Sequence, residues 1–342
     1  MKRMRLRSVH ILILAAVLLS MAWPVAAAPR GDTVTVQILA LNDFHGNLEP
    51  PAGSSGRIGT INAGGVEYLA THIANLRAQN PNTVVVSAGD LIGASPLISA
   101  LFHDEPTIEA FNLIGLDYNA VGNHEFDEGA AELLRMQKGG CHPTDGCLDG
   151  DGFAGADFQF LAANVIYSDS GKTIFPPYAV ENCRGTKVAF IGMTLEGTQT
   201  IVTPSGVAGL TFLDEADAAN VYVQELKRRG VETIVILLHE GGAQAGGDYN
   251  SCVGISGPIV DIVNRLDDEV DAVISGHTHN AYNCVIDGKL VTSAASFGRL
   301  VTKVDLTIDR KSGDVVEMQA NNNIVTRDVA KDARLTDLVM RY

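Results

Sequence analysis

"ILALNDFHGNLEP", residues 38–50, runs an apolar segment suited to a buried strand directly into a carboxylate, Asp43, and an imidazole, His45. A strand buried on both faces has no use for either group in the core, so its end must present them to something else. If extended geometry reaches this far, the two side chains point to the same side of the chain.

The same arrangement recurs four times downstream. Apolar runs end in "SAGDLIGASP" with Asp90, in "VGNHEFDEG" with Asn123, His124 and Asp127, in "LLHEGG" with His239, and in "SGHTHNAYN" with His277 and His279. Strand-like segments such as "TVTVQILAL", "NTVVVSAG", "FLAANVI", "KVAFIGM", "TIVILLH" and "LVTKVDLTI" are mostly apolar without alternation. That is the pattern of strands covered on both faces. Helix-like stretches over 65–79, 107–114, 128–136, 214–229 and 258–266 lie between them, so the spacing predicts an α/β fold with helices covering the sheets. In open α/β sheets ligands bind outside the carboxyl ends of the strands, and five polar strand ends therefore predict one convergent site.

Asp, Asn and His without thiolate suit hard or borderline divalent ions such as Zn, Mn, Fe, Co or Ni. Asp43, His45, Asp90, Asn123, His239, His277 and His279 are too many for one ion. They fit two if a carboxylate bridges, and two ions about 3.5–4 Å apart clamp the attacking and leaving oxygens of a phosphoryl transfer.

The ordered set D-x-H, G-D, G-N-H-E, a strand-terminal His and G-H-x-H resembles the calcineurin-like metallophosphoesterase family. The wording "LNDFHGNLEP", "GNHEFDEG", "LAANV", "HEGG" and "SGHTHNAY" is similar to its secreted bacterial 5′-nucleotidase branch, which also holds UDP-sugar hydrolases and 2′,3′-cyclic nucleotide phosphodiesterases. The resemblance spans residues 34–328. It implies a four-layer α-β-β-α sandwich with two mixed sheets and the metal site at the C-terminal strand ends. It also implies Asp43, His45 and His279 on one metal, Asn123, His239 and His277 on the other, and Asp90 between them. In the family the His of the third block, here His124, reaches the phosphate together with Asn123, and Asp127 holds its imidazole, which would raise its pKa and fix its tautomer. The expected reaction is hydrolysis of nucleoside 5′-monophosphates by a metal-bound water or hydroxide, with UDP-sugars or cyclic nucleotides as alternative substrates. A non-enzyme alternative is a metal-binding remnant with little turnover.

Plainer roles compete for some of these residues. Asp127 is also a good N-cap for a helix opening near Glu128. Glu125 and Glu240 are not ligands in the family and read as supporting or solvent-facing charges, and His72, His103 and His142 fall in no motif and read as hydrogen-bonded structural residues. The Gly-rich "GSSGRIGTINAGG" lacks the spacing of a phosphate loop and reads as a loop at the rim of the site.

"MKRMRLRSVH", "ILILAAVLLSMAW" and "VAAA" form the basic, apolar and small-residue regions of a secretory signal, expected over residues 1–28. The apolar part is short for a membrane span, so no stable membrane anchor is expected and the destination is secretion, the periplasm or the cell envelope. Losing Lys2, Arg3, Arg5 and Arg7 takes the formal charge from −15 to about −19, which argues against nucleic-acid polymers as partners and leaves small nucleotides, since a metal centre reverses the local potential. Five cysteines in an exported chain make disulfides plausible. Cys141 and Cys147 bracket a polar loop and Cys252 and Cys284 can meet across the fold, with Cys183 left over and the pairing open. The catalytic domain is expected over 29–330, and 331–342 as the start of a linker helix toward a C-terminal nucleotide-binding domain that the family carries and this chain lacks.

Overall fold

The structure, a computed structural model, describes residues 31–342; the signal expected over residues 1–28 lies outside them. Two six-stranded mixed sheets face one another. The first runs in the order Val315–Ile324, Leu300–Asp309, Thr33–Leu41, Thr83–Ser87, Tyr118–Ala120, Gln159–Leu161. The second runs Ala281–Ile286, Lys289–Ala294, Val270–Ser275, Thr233–His239, Thr186–Thr194, Tyr178–Cys183. Parallel pairing holds the centre of each sheet, and the outer pairs are antiparallel on one side of the first sheet and on both sides of the second.

The strand Thr33–Leu41 shows why the runs lack alternation. Val36, Ile38 and Ala40 pack between the sheets against residues such as Phe190, Val235 and Ile274. Leu39 and Leu41, on its other face, pack against the helices Val66–Arg77 and Glu105–Ile114 through Leu69, Ile73 and Phe111. Each fully buried Leu or Ile is worth about 1.5–3 kcal/mol, so slipping this strand by one residue would exchange two cores at once. The helices Ala130–Lys138 and Ala333–Arg341 complete the first outer layer. On the far side Glu215–Arg228 and Pro258–Arg265 cover the second sheet, the former through Ala219, Val223 and Leu226 at helical spacing. The result is the expected four-layer α-β-β-α sandwich.

Two features depart from the sequence reading. "FLAANVI" is not one strand: Gln159–Leu161 ends the first sheet, while Val165–Tyr167 pairs with Leu210–Phe212 in a separate ribbon. Buried Asn164 makes the break, donating to the carbonyls of Thr194 (2.6 Å) and Leu213 (2.9 Å) and accepting from the Thr194 N–H (2.8 Å). The edge strands Tyr178–Cys183, Ala281–Ile286 and Val315–Ile324 are only partly buried and each has its apolar run broken by polar residues, so none stood out in the sequence.

Cys141 pairs with Cys147 and Cys252 with Cys284, at Cα separations of 4.7 and 5.1 Å, and Cys183 is free and buried. The Gly-rich stretch folds as a short hairpin, Arg57–Ile58 with Ile61–Asn62, clasped by the Arg327 guanidinium on the carbonyls of Gly56 (3.2 Å) and Ala63 (2.6 Å). The last helix buries Leu335 and Leu338 in the first outer layer, and Tyr342 donates its hydroxyl between Glu109 and Asp149. Among the described residues no helix is long and apolar enough to cross a membrane.

Candidate metal centre

The central parallel strands of both sheets end on the same side, and the turns that follow them hold the seven expected ligands. Those turns are not extended. Asp43, His45, Asp90, His277 and His279 all have left-handed backbones, with φ of 51°, 49°, 52°, 67° and 55°. Non-glycine residues visit this region at a cost of about 1–3 kcal/mol each, and such strain concentrates where side chains must be aimed for function. Asp43 and His45 therefore share a side because the turn aims them there, not through strand alternation, since the strand stops at Leu41. The turn is held against its neighbour by the N–H groups of Asp43 and His45 on the carbonyls of Gly89 and Asp90, both at 3.0 Å.

Two clusters result: Asp43, His45 and His279, and Asp90, His239 and His277, in each of which one donor atom per residue lies within 4.8 Å of the others. Asp90 Oδ2 stands 3.7 Å from His45 Nε2 and 3.0 Å from His239 Nε2, between the two groups. Asn123 Oδ1 joins the second at 3.2 Å from His239 Nε2. On the first side Asp43 Oδ1 is 3.5 Å from His279 Nε2, and the Nε2 atoms of His45 and His279 are 3.1 Å apart.

The donor chemistry fits divalent ions. Nδ1 of His45 faces the Gly93 carbonyl at 2.9 Å and Nδ1 of His239 faces the Ala88 carbonyl at 2.7 Å. A carbonyl only accepts, so each ring carries its proton on Nδ1 and, when neutral, turns an Nε2 lone pair inward. At His239 that lone pair faces oxygens of Asp90 and Asn123, acceptors against an acceptor, which positive charge alone reconciles. The electrostatic surroundings agree. Burial disfavours the His239 imidazolium, yet Asp90, Asp43 and Glu125 outweigh it and raise the pKa to about 10. That demand is met by a proton or by a cation. Burial and neighbouring histidines push His277 and His279 down to about 4, which favours their neutral rings, and burial raises Asp43 to about 7. Burial opposes the Asp90 carboxylate, but His239 and His45 hold it well below the usual range.

His124 lies at the mouth, its ring centroid 5.1 Å from that of His45 and its backbone N–H on Asp90 Oδ1 at 2.9 Å. Nδ1 of His124 is 2.8 Å from Asp127 Oδ2, and this hydrogen bond raises its pKa against a smaller burial effect. The N-cap alternative for Asp127 does not hold, because the helix begins at Ala130 with Gly129 at its cap.

Two supporting residues, Asn42 and Phe297, escaped the sequence reading, and Glu125 was left there between a supporting and a solvent-facing role. Asn42 donates to Asp43 Oδ2 and to the Ala295 carbonyl, both at 2.6 Å, and accepts from the Ala294 N–H at 2.7 Å, tying the Asp43 turn to a strand end 252 residues later. Glu125 is buried, and its carboxylate accepts the N–H groups of Asp90 (2.9 Å), Leu91 (2.8 Å) and Gly122 (2.6 Å), which settles its supporting role. Phe297 lies edge-on to His279 with ring centroids 5.3 Å apart. Asn42 and Glu125 stand next to ligand blocks, which was the available signal; Phe297 had none. Glu240 is buried too and caps the Gly241 N–H, while His72 bonds the Thr326 carbonyl as a structural residue.

The fold and this donor set are those of a metallophosphoesterase domain. Residues 36–281 match the model of the calcineurin-like phosphoesterase, and the chain belongs to that family, whose members use divalent metal ions. It is similar to the endonuclease YhcR of Bacillus subtilis, 36% identical over 323 residues that take in 92% of this chain and 25% of the relative. A cell wall protein of Listeria monocytogenes is 32% identical over 352 residues, 96% of this chain and 44% of the relative. Among solved structures, a 5′-nucleotidase precursor from Thermus thermophilus superposes with a TM-score of 0.72 at 25% identity, covering 90% of this chain and 58% of the neighbour. The chain thus spans between a quarter and three-fifths of these relatives.

Proposed function

We propose that the protein is an exported 5′-nucleotidase that binds two divalent ions and hydrolyses nucleoside 5′-monophosphates to nucleoside and phosphate. The observation that carries this is Asp90 Oδ2 between His45 Nε2 and His239 Nε2, a single carboxylate reaching both donor clusters. Asp43, His45 and His279 would hold one ion and Asn123, His239 and His277 the other, with Asp90 placed to reach both. When bound, the ions supply Lewis acidity toward the phosphoryl oxygens and a nucleophile at neutral pH. Asn123 and His124 bind the phosphate. A protonated His124 stabilises its charge and delivers a proton from Nε2 to the leaving ribose oxygen, while Asp127 at Nδ1 keeps the ring charged and oriented. In this reading residues 29–330 carry the chemistry, 331–342 begin a link to a nucleotide-binding domain, and the protein works outside the cytoplasm, in line with its similarity to a cell wall protein.

A second reading, phosphodiester cleavage, is favoured by the similarity to a protein named an endonuclease. The same centre would act on a diester, including a 2′,3′-cyclic nucleotide, and a UDP-sugar pyrophosphate would enter the same way. The net charge of −15 weighs against long polymers. The test is a panel of AMP, UDP-glucose, 2′,3′-cyclic AMP, bis-p-nitrophenyl phosphate and single-stranded DNA, each with Mn²⁺, Co²⁺ or Zn²⁺ and after chelation. Chelator-sensitive phosphate release fastest from AMP supports the nucleotidase; faster diester cleavage replaces it with the second reading, and turnover that survives complete metal removal overturns both.

A further inference from the structure

His103 and His142, 39 residues apart and in no motif, stack face to face with centroids 3.9 Å apart and planes at 16°. Around them stand Glu128, Glu132 and Asp145. His103 Nδ1 is 2.7 Å from Glu128 Oε2 and its Nε2 is 3.0 Å from Asp145 Oδ2. One donor atom each from His103, Glu128, Glu132 and His142 lies within 4.8 Å of every other. Ligand atoms on a single zinc-like ion, at about 2.0–2.2 Å from it, are never more than about 4.4 Å apart, so closing the set needs only small side-chain shifts.

From these residues we infer a third divalent-cation site, separate from the two-metal centre, with His103, Glu128, Glu132 and His142 as ligands and Asp145 supporting. Charge is the first argument. Three carboxylates converge on two imidazoles: both ring nitrogens of His103 face carboxylate oxygens and His142 Nδ1 accepts the Asp145 N–H at 3.2 Å, so a cation bound here would take the place of a His103 ring proton and balance the negative charge that remains. Arg135 does not balance it all, being shared between Glu132 and Glu105. Two imidazoles with two carboxylates suit Zn²⁺, Mn²⁺, Co²⁺ or Ni²⁺ rather than Ca²⁺.

The backbone is the second argument. His103 and Asp104 are consecutive non-glycine residues with left-handed φ of 53° and 61°, so the chain is strained where it presents His103. His142 is carried by the loop closed by the Cys141–Cys147 pair, whose ends are drawn together by the His142 and Gly146 backbones. The location gives the site a purpose. A cavity lined by Gly93, His103, His124, Asp127, Glu128 and Glu132 joins it to the catalytic dyad. Asp104 Oδ2 accepts the Gly93 N–H at 2.9 Å, and the Gly93 carbonyl faces His45 Nδ1. An ion here would fasten the turn behind His45 and the segment after Asp127 to the disulfide loop.

The experiment is equilibrium dialysis of the purified chain, stripped with dipicolinate, against Co²⁺, with elemental analysis and the visible ligand-field spectrum. The expected result is one equivalent fewer in H103Q/H142Q than in the unsubstituted chain, with unchanged circular dichroism. In Glu128→Gln, whose exposed side chain tolerates the change, that equivalent should bind at least about tenfold more weakly. Equal stoichiometry and affinity in all three proteins would overturn the inference. Asp90→Ala/His239→Ala separates the sites: it should keep the equivalent that H103Q/H142Q loses, whether or not the two-metal reading stands, and its loss there would assign that equivalent to the main centre.

Discussion

His239 donates a hydrogen bond from Nδ1–H to the Ala88 carbonyl at 2.7 Å, and so turns Nε2 toward Asp90. The residue that ends one sheet's central strand is oriented by the loop after a central strand of the other sheet. Neither sheet alone makes the site.

Replacing His124 by Ala should lower kcat by about 10²–10⁴ while metal content stays unchanged. Undiminished turnover in a fully loaded His124→Ala protein would remove the acid role. Asp127→Asn should leave the fold intact and change the pH profile. The proposed role of His124 requires it protonated, and its pKa is raised by Asp127, so the rate should fall as pH climbs through that raised pKa. In Asp127→Asn the falling limb should move to lower pH; an unmoved limb would refute the coupling.

Gly122→Ala probes the close approach of two blocks. A Cβ at Gly122 would lie 2.2 Å from Asp90 Oδ1, so the Asp90 carboxylate must move. A displacement near 1 Å at a reacting centre costs about 10² in rate. We expect that loss together with reduced metal occupancy by elemental analysis.

Glu125→Gln substitutes an amide for a carboxylate that accepts three backbone N–H groups. One acceptor oxygen becomes an NH₂ facing donors, which should cost about 1–3 kcal/mol. Urea denaturation should register it as a lower midpoint at constant m-value, with activity falling as the Asp90 turn loosens.

Asn164→Ala tests the clasp that ends one strand and starts another. Two carbonyls and one N–H lose their buried partner, so stability should drop by about 2–3 kcal/mol. The catalytic pH profile of the surviving folded protein should be unchanged; a shifted profile would mean that Asn164 also positions the site.

The sequence by itself determined the α/β class, the two-sided burial of the central strands and the membership of the ligand blocks. Apolar runs without alternation follow from helices on one face and a second sheet on the other, and a charged group at the end of such a run has only the strand-end crevice to enter. It carried less about the edges, where Val315–Ile324 and Tyr178–Cys183 meet solvent and need no apolar signature. Tertiary structure alone decided the rest. The left-handed turns at Asp43, His45 and Asp90 depend on carbonyls and N–H groups from distant loops, Glu125 became a buried brace because three unpaired N–H groups converge on it, and His103 met His142 only after the disulfide loop folded back. Each of these depends on contacts between residues far apart in the chain, and local sequence holds no record of which partner will arrive.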